Sequence, residues 1–239
     1  DLKLSVSIPD TSTLSELAGS PVPKLGPITV TGRLSDPAPQ TFEINDLAVK
    51  IAESDAAGLV RVRLSGPRPS ITVDLNSEQF RLEDVTPPSD GEAKEEAPAN
   101  TTGRVFPSDP LALDGLKAAD AAISYRAKQL IAQGGYVLHE VVVKLALDNG
   151  RLTIKPIAAD FGGTGINGDL LLDARQATPA LQTSFDMKGV NLGKAVKEAT
   201  GTEHISGLLD ISVSVSGSGK SVAAIMASLN GRRLISMGE

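Results

Sequence analysis

The 239-residue chain has no cysteine and no tryptophan, and it has only two histidines, two tyrosines and five phenylalanines. Without cysteine there is no disulfide scaffold, no thiol nucleophile and no thiolate-ligated zinc. Aromatics at 3% of residues leave no platform for stacking nucleobases. The 29 acidic residues outnumber the 23 basic ones, for a net charge of −6, so the basic stripe of a nucleic-acid binder is missing too. No nucleic-acid partner is expected. Long apolar runs are also lacking: no stretch of about 18 apolar residues is present, so no membrane-spanning helix is expected. No signal-peptide pattern is present. The chain opens without Met, inside an alternating run of Leu4, Val6 and Ile8 against Ser5 and Ser7. It reads as a fragment whose targeting or anchoring segment lies upstream.

What the sequence does have is alternation of apolar and polar residues, the period-2 pattern of strands with one buried face. Leu209-Asp210-Ile211-Ser212-Val213-Ser214-Val215-Ser216 is the clearest run. Similar runs start at Ile28, Val60 and Ile71, occupy 141–147, and start again at Leu181. Ser65-Gly66-Pro67, Asp148-Asn149-Gly150 and Ala177-Thr178-Pro179 punctuate them, and the Asn-Gly step is a hairpin signal. Helices are few and short. A Thr13-x-x-Glu16 capping box marks 13–18, and apolar residues at helical spacing mark 191–199 and 221–229. Asp109-Pro110 opens another through about 117, with a strand from about Ala121. The core is expected to be aliphatic.

Residues 86–104 carry Pro, Gly and an acidic run with little hydrophobicity, the composition of a solvated linker. Three segments follow: a first β repeat region over 1–85, the linker over 86–104, and a second β repeat region with short helices over 105–239. The repeat is visible directly. A segment from Gly58 and one from Gly168 each run glycine, strand, proline turn, strand, and Pro69 aligns with Pro179 at the same 110-residue offset. Units of this size cannot bury an apolar sheet face alone, so neighbours must stack. The expected fold is mainly β with a few short helices: a repeated, curved, mostly antiparallel sheet in two halves, shaped as a β-groove. Its inward face is aliphatic, its outward face Ser, Thr, Asp, Lys and Arg. The helices are too short to cover the inward face, which must close on itself, meet a second sheet, or hold an apolar ligand.

Motifs that imitate enzymes fail on context. Gly163-x-Gly165-x-x-Gly168 matches a dinucleotide fingerprint, but a strand follows where a helix must receive the pyrophosphate. Gly219-Lys220-Ser221 resembles the end of a phosphate-binding loop, yet the first glycine would fall at Ser214, inside a strand. His139 and His204 sit in no nucleophile or metal motif and read as surface residues. No catalytic residue, metal site or cofactor is expected.

The order of several motifs resembles the AsmA family. They are Pro23-Lys24-Leu25-Gly26-Pro27, Arg68-Pro69 before Ile71, and Gly150-Arg151-Leu152-Thr153-Ile154-Lys155-Pro156-Ile157. Gly162-Gly163-Thr164-Gly165, Val190-Asn191-Leu192, Gly217-Ser218-Gly219-Lys220-Ser221 and Ala227-Ser228-Leu229-Asn230-Gly231 continue it. The resemblance spans nearly the whole chain apart from the linker. It implies a non-catalytic, periplasm-facing segment of a protein anchored in the inner membrane of a Gram-negative bacterium. It implies an apolar β-groove that passes phospholipid between the two membranes and supports outer-membrane biogenesis. The expected partners are phospholipid acyl chains, with envelope proteins also possible. The other reading is a structural module that assists outer-membrane protein assembly through protein contacts. The candidate lipid-contacting residues are the inward aliphatics Val60, Val62, Leu64, Ile71, Val73, Leu75, Leu170, Leu172, Leu181, Phe185, Ile211, Val213 and Val215. For each the alternative is ordinary packed core.

Overall fold

The computed structural model describes residues 2–11, 27–86, 106–191 and 207–238. Twelve strands are seen among them. β1 (Leu2–Ile8), β2 (Ile28–Ala38), β3 (Thr41–Ile51), β4 (Ser54–Arg63), β5 (Ser70–Arg81) and β6 (Asp120–Ile131) come first. β7 (Val137–Asp148), β8 (Arg151–Phe161), β9 (Thr164–Asp173), β10 (Ala180–Asn191), β11 (Leu208–Ser218) and β12 (Asn230–Gly238) follow. One short helix, α1 (Val222–Ala227), and 3₁₀ turns at Leu82–Asp84, Asp114–Lys117 and Gln133–Gly135 complete the described elements. The mainly β, mostly antiparallel expectation holds. Two compact units are formed, one from Asp1–Arg104 with Asp120–Val141, the other from Val105–Ala119 with Val142–Glu239.

Within each unit the hydrogen-bonded order follows chain order, β1 to β6 in the first and β8 to β12 in the second. The described pairings are antiparallel apart from β5 with β6, which is parallel. A parallel neighbour requires a long crossover rather than a hairpin, and residues 82–119 supply its length.

The repeat goes further than the sequence alone suggests. β3, β4, β5 and β6 start at 41, 54, 70 and 120; β8, β9, β10 and β12 start at 151, 164, 180 and 230, each 110 positions later. Register repeats as well. Thr41 faces Arg63 and Ile44 faces Val60, after which a bulge shifts the pairing so that Leu47 faces Gly58. Arg151 faces Asp173 and Ile154 faces Leu170, and a bulge again shifts the pairing so that Ile157 faces Gly168. The two bulges hold Asn45-Asp46 and Lys155-Pro156. Proline suits such a place because it has no N–H to give to a ladder.

Two sequence expectations need correction, one of them in part. The helix expected over 109–117 is only the 3₁₀ turn Asp114–Lys117. Pro110 forms an antiparallel bridge with Ser221, and the Leu111 N–H donates to the Lys220 carbonyl at 2.8 Å. This holds the backbone extended where a first helical turn would have to form. The helix expected over 221–229 is present but shorter, at Val222–Ala227, with the Ser221 hydroxyl capping the Ala224 N–H at 3.1 Å. The expected strand near Ala121 is β6. The helices expected over 13–18 and, past Asn191, over 192–199 lie outside the described residues, as does His204. Gly162-Gly163 forms the β8–β9 turn and β9 follows it, so no helix stands behind the glycine-rich fingerprint.

Candidate functional site

Register decides which side chains share a face, because directly opposed residues point to the same side of a sheet. In the first unit Val62 faces Ile71 and Val60 faces Val73 across β4–β5. β6 extends the row, with Ala121 beside Ile71, Ile123 beside Val73 and Tyr125 beside Leu75. β3 extends it on the other side, with Phe42 opposite Val62 and Ile44 opposite Val60. The reverse face is polar. Arg61 pairs with Glu43, whose carboxyl is held below its ordinary pKa first by that hydrogen bond and then by Asn45. Arg126 reaches Asp74 at 3.3 Å and Lys128 reaches Glu78 at 2.7 Å.

The second unit repeats the arrangement. Leu172 faces Leu181, and Phe185 lies beside Gly168 on one flank and Val213 on the other. Met187 faces Ile211, and Thr183 lies between Leu170 and Val215. Its reverse face carries the Ser184–Asp169 and Ser212–Asp186 hydrogen bonds.

The aliphatics proposed from sequence thus gather on one face per unit. Val60, Val62, Ile71, Val73 and Leu75 belong to the first. Leu170, Leu172, Leu181, Phe185, Ile211, Val213 and Val215 belong to the second. Leu64 stands apart, one residue beyond β4, where its N–H donates to the Gln40 carbonyl at 2.8 Å. The candidate lipid-contacting set omits Phe42, Ile44, Leu152, Ile154, Ile123, Tyr125 and Met187, which the register places on the same faces. Ile123 and Tyr125 were legible in the alternation of 123–127. The β3 and β8 residues were hidden because a bulge slips the alternation by one position.

These faces are not closed core. Among the described residues Leu47, Ala127, Val141, Ala174, Pro179 and Ile225 are the buried apolar side chains. The named face residues are half-buried, and Phe42 and Phe185 remain 46% and 39% exposed. Tyr125 is the polar exception. Its hydroxyl donates to Ser77 at 3.0 Å, its ring meets Phe80 edge-on at 6.0 Å, and burial pushes its phenol above the ordinary range.

One element does sit on the apolar face of the second unit. Gly217 faces Leu181 across β10–β11, so a side chain at 217 would point to that face. A Cβ there would stand 2.8 Å from the Ile225 carbonyl, and one at Gly219 would stand 2.6 Å from the Ala224 Cβ. These two glycines form the notch into which α1 settles, and Ile225 is its buried anchor at 6% exposure.

Chemically, these surfaces offer apolar area and little else. His139 is exposed on β7. Among the described residues no group of His, Asp and Glu could hold a metal ion, and no helix is long and apolar enough to cross a membrane.

Comparison with known proteins adds a relationship to this geometry. The AsmA family model matches residues 2–239. An AsmA family protein of Escherichia coli K12, YhjG, is similar, 22% identical over 256 aligned residues that cover all of this chain. The chain spans 37% of that relative's length. No solved structure matches.

Proposed function

Because the chain belongs to the AsmA family, we propose that it is a non-catalytic periplasmic segment of an inner-membrane-anchored envelope protein. Its apolar sheet faces carry phospholipid acyl chains between the inner and outer membranes. The observation behind this reading is the row of half-exposed aliphatics on one face of each unit, backed by a polar reverse face. Half-exposed aliphatic surface of this extent marks an interaction site. Each methylene that an acyl chain moves from water onto it contributes roughly 0.8 kcal/mol, so a few methylenes outweigh the ordering of one chain. The reading assigns no role to catalytic residues, metals or cofactors.

A pair of substitutions on opposite faces tests it. Val73 lies between Val60 and Ile123 on the apolar face, and Thr72 lies beside Arg61 on the polar one. Val73→Asp should remove co-purifying phospholipid, measured by mass spectrometry of organic extracts, while Thr72→Asp should leave it. A folded Val73→Asp protein that still carries lipid would overturn the assignment. A lipid-free wild-type extract would favour the assembly module acting through protein contacts.

A further inference from the structure

At one end of the second unit the strands stop against a strap. Residues 106–117 cross there, held by the Pro110–Ser221 bridge, by the Leu111 N–H on the Lys220 carbonyl, and by the Ala223 N–H on the Pro107 carbonyl at 3.0 Å. Between the strap and the β9–β10 turn lies a pocket of about 310 Å³. Its floor is apolar, with Ala174 and Pro179 buried and Leu111 and Leu113 half-buried. Its rim is charged, formed by Asp114, Lys117 and Lys220.

The three rim charges line one pocket without neutralising one another. Asp114 and Lys117 stand three residues apart in a 3₁₀ turn, where side chains at i and i+3 eclipse, yet no ion pair joins them. Neither lysine has an ion-pair partner among the described residues, whereas nearby Arg175 is taken up by Asp173 at 2.5 Å. Two unpaired ammonium groups beside an unpaired carboxylate complement a ligand with the reverse pattern, an anion of spread charge next to an amine. The volume sits at the small end of ligand pockets, the size of a headgroup rather than of an acyl chain. The apolar floor offers nothing to a free anion but suits a glycerol backbone and its first methylenes. The pocket also lies where the apolar face ends, since Pro179 precedes β10 and its carbonyl accepts the Gly219 N–H at 3.0 Å.

We propose that this pocket holds the phosphodiester headgroup of an amine-bearing phospholipid, with Lys117 and Lys220 on the phosphate and Asp114 on the ammonium. This rests on the acyl-chain reading of the adjoining face and adds to it a specificity-determining end. Phosphate is the chemistry shared with a free anion, and the apolar floor favours the lipid.

The test uses the 239-residue chain with four probes: dihexanoylphosphatidylethanolamine, dihexanoylphosphatidylglycerol, inorganic phosphate and an uncharged apolar dye. All three rim side chains are exposed, so substitutions there should leave the fold intact, checked by circular dichroism. The Lys117→Gln/Lys220→Gln double variant should bind the ethanolamine lipid at least about tenfold more weakly, since two charge-assisted contacts are lost. Its dye uptake should match wild type, as should both readouts for the control Lys50→Gln. Asp114→Asn should weaken the ethanolamine lipid about threefold or more and spare the glycerol lipid. Ethanolamine-lipid affinity unchanged in the double variant would overturn the pocket alone. Inorganic phosphate bound as tightly as the lipid would replace the lipid headgroup with a free anion. Absence of dye uptake by the wild type would overturn the acyl-chain reading and, with it, this inference.

Discussion

Two stretches of this chain begin as copies and end differently. From β3 to β5 and from β8 to β10, strand starts, turns, register and even the bulge recur at a spacing of 110 residues. Past β5 and β10 they diverge. β5 is flanked directly by β6, parallel to it. β10 is flanked by the antiparallel β11, and β12, the positional equivalent of β6, pairs on β11's far side. Two antiparallel steps restore the original direction, so β12 runs parallel to β10 with one strand between. In the first copy that intervening strand is not beside β5, and β6 takes its place without turning round. Strand direction here follows from the count of neighbours crossed, not from any preference of β6 itself. One N–H shows how the sheet adapts. The Gln79 N–H is taken at 2.9 Å by Asp55, from β4, while the equivalent Gly189 N–H is taken at 2.8 Å by Asp210, from β11.

The largest expected difference between the copies lies at Gly58 and Gly168, the glycines opposite the two bulges. A Cβ on Gly58 would lie 1.9 Å from the Asp74 carbonyl oxygen, at φ +154°, whereas one on Gly168 would lie 3.0 Å from that of Ser184. Gly58→Ala should destabilise by about 3 kcal/mol or prevent folding, and Gly168→Ala by about 1 kcal/mol. Denaturant unfolding measures both, and equal losses would break the comparison.

Helix α1 comes next, since its counterpart in the strap is only a 3₁₀ turn. Ile225→Ala should cost about 2–4 kcal/mol and release amide protection over α1. Leu116→Ala, at a half-buried site, should cost less than half as much. Hydrogen exchange separates the two.

Ser54 gives a smaller effect. It is 1% exposed, accepts from the Arg81 N–H at 2.8 Å and donates to Asp84 at 2.7 Å. Ser54→Ala should cost about 1–2 kcal/mol. The equivalent residue is Thr164, so Ser54→Thr tests whether the two turns are interchangeable.

The mildest test is one of pH. Position 63 holds arginine, and its equivalent, Asp173, bonds Arg175 and is held down at about 2 by that contact. A carboxyl whose pKa is lowered on folding stabilises the fold above its unfolded value, near 3.8, and loses that contribution as pH falls towards 2. Arg175→Gln should return the Asp173 titration part of the way towards 3.8, followed by carboxyl NMR, and should weaken that acid-side dependence, the backbone N–H of residue 175 still donating to Asp173.

Legibility in the sequence tracked regularity. β4, β5, β9, β10 and β11 were readable because each carries a clear alternating or apolar stretch, and prolines mark the β4–β5 and β9–β10 turns. β3 was not readable. Its apolar set moves from Phe42 and Ile44 to Leu47, Val49 and Ile51, and the two-residue bulge cancels the alternation that would have revealed it. β12 was hidden because Arg232 and Arg233 sit at its centre, leaving Leu234 and Ile235 as neighbours on opposite faces. The extended strap at 110–111 escaped because Asp-Pro is equally a helix opening. Only its bridge to Ser221, distant in sequence, decides between them. Of the site, the face aliphatics were legible, and the pocket rim was not, since Lys117 and Lys220 come together only through that same bridge.

The sequence by itself determined that this protein is built from alternating strands, that a unit recurs at a 110-residue offset, and which side chains share a face within an uninterrupted run. Alternation is local, so a few consecutive residues carry that information. Tertiary structure alone decided that β6 runs parallel to β5, that α1 rests on the apolar face at Gly217 and Gly219, and that the strap closes a pocket at the strand ends. Each depends on which distant segment becomes a neighbour. That choice is made by crossover length and close backbone approach, neither of which leaves a periodic mark in the chain.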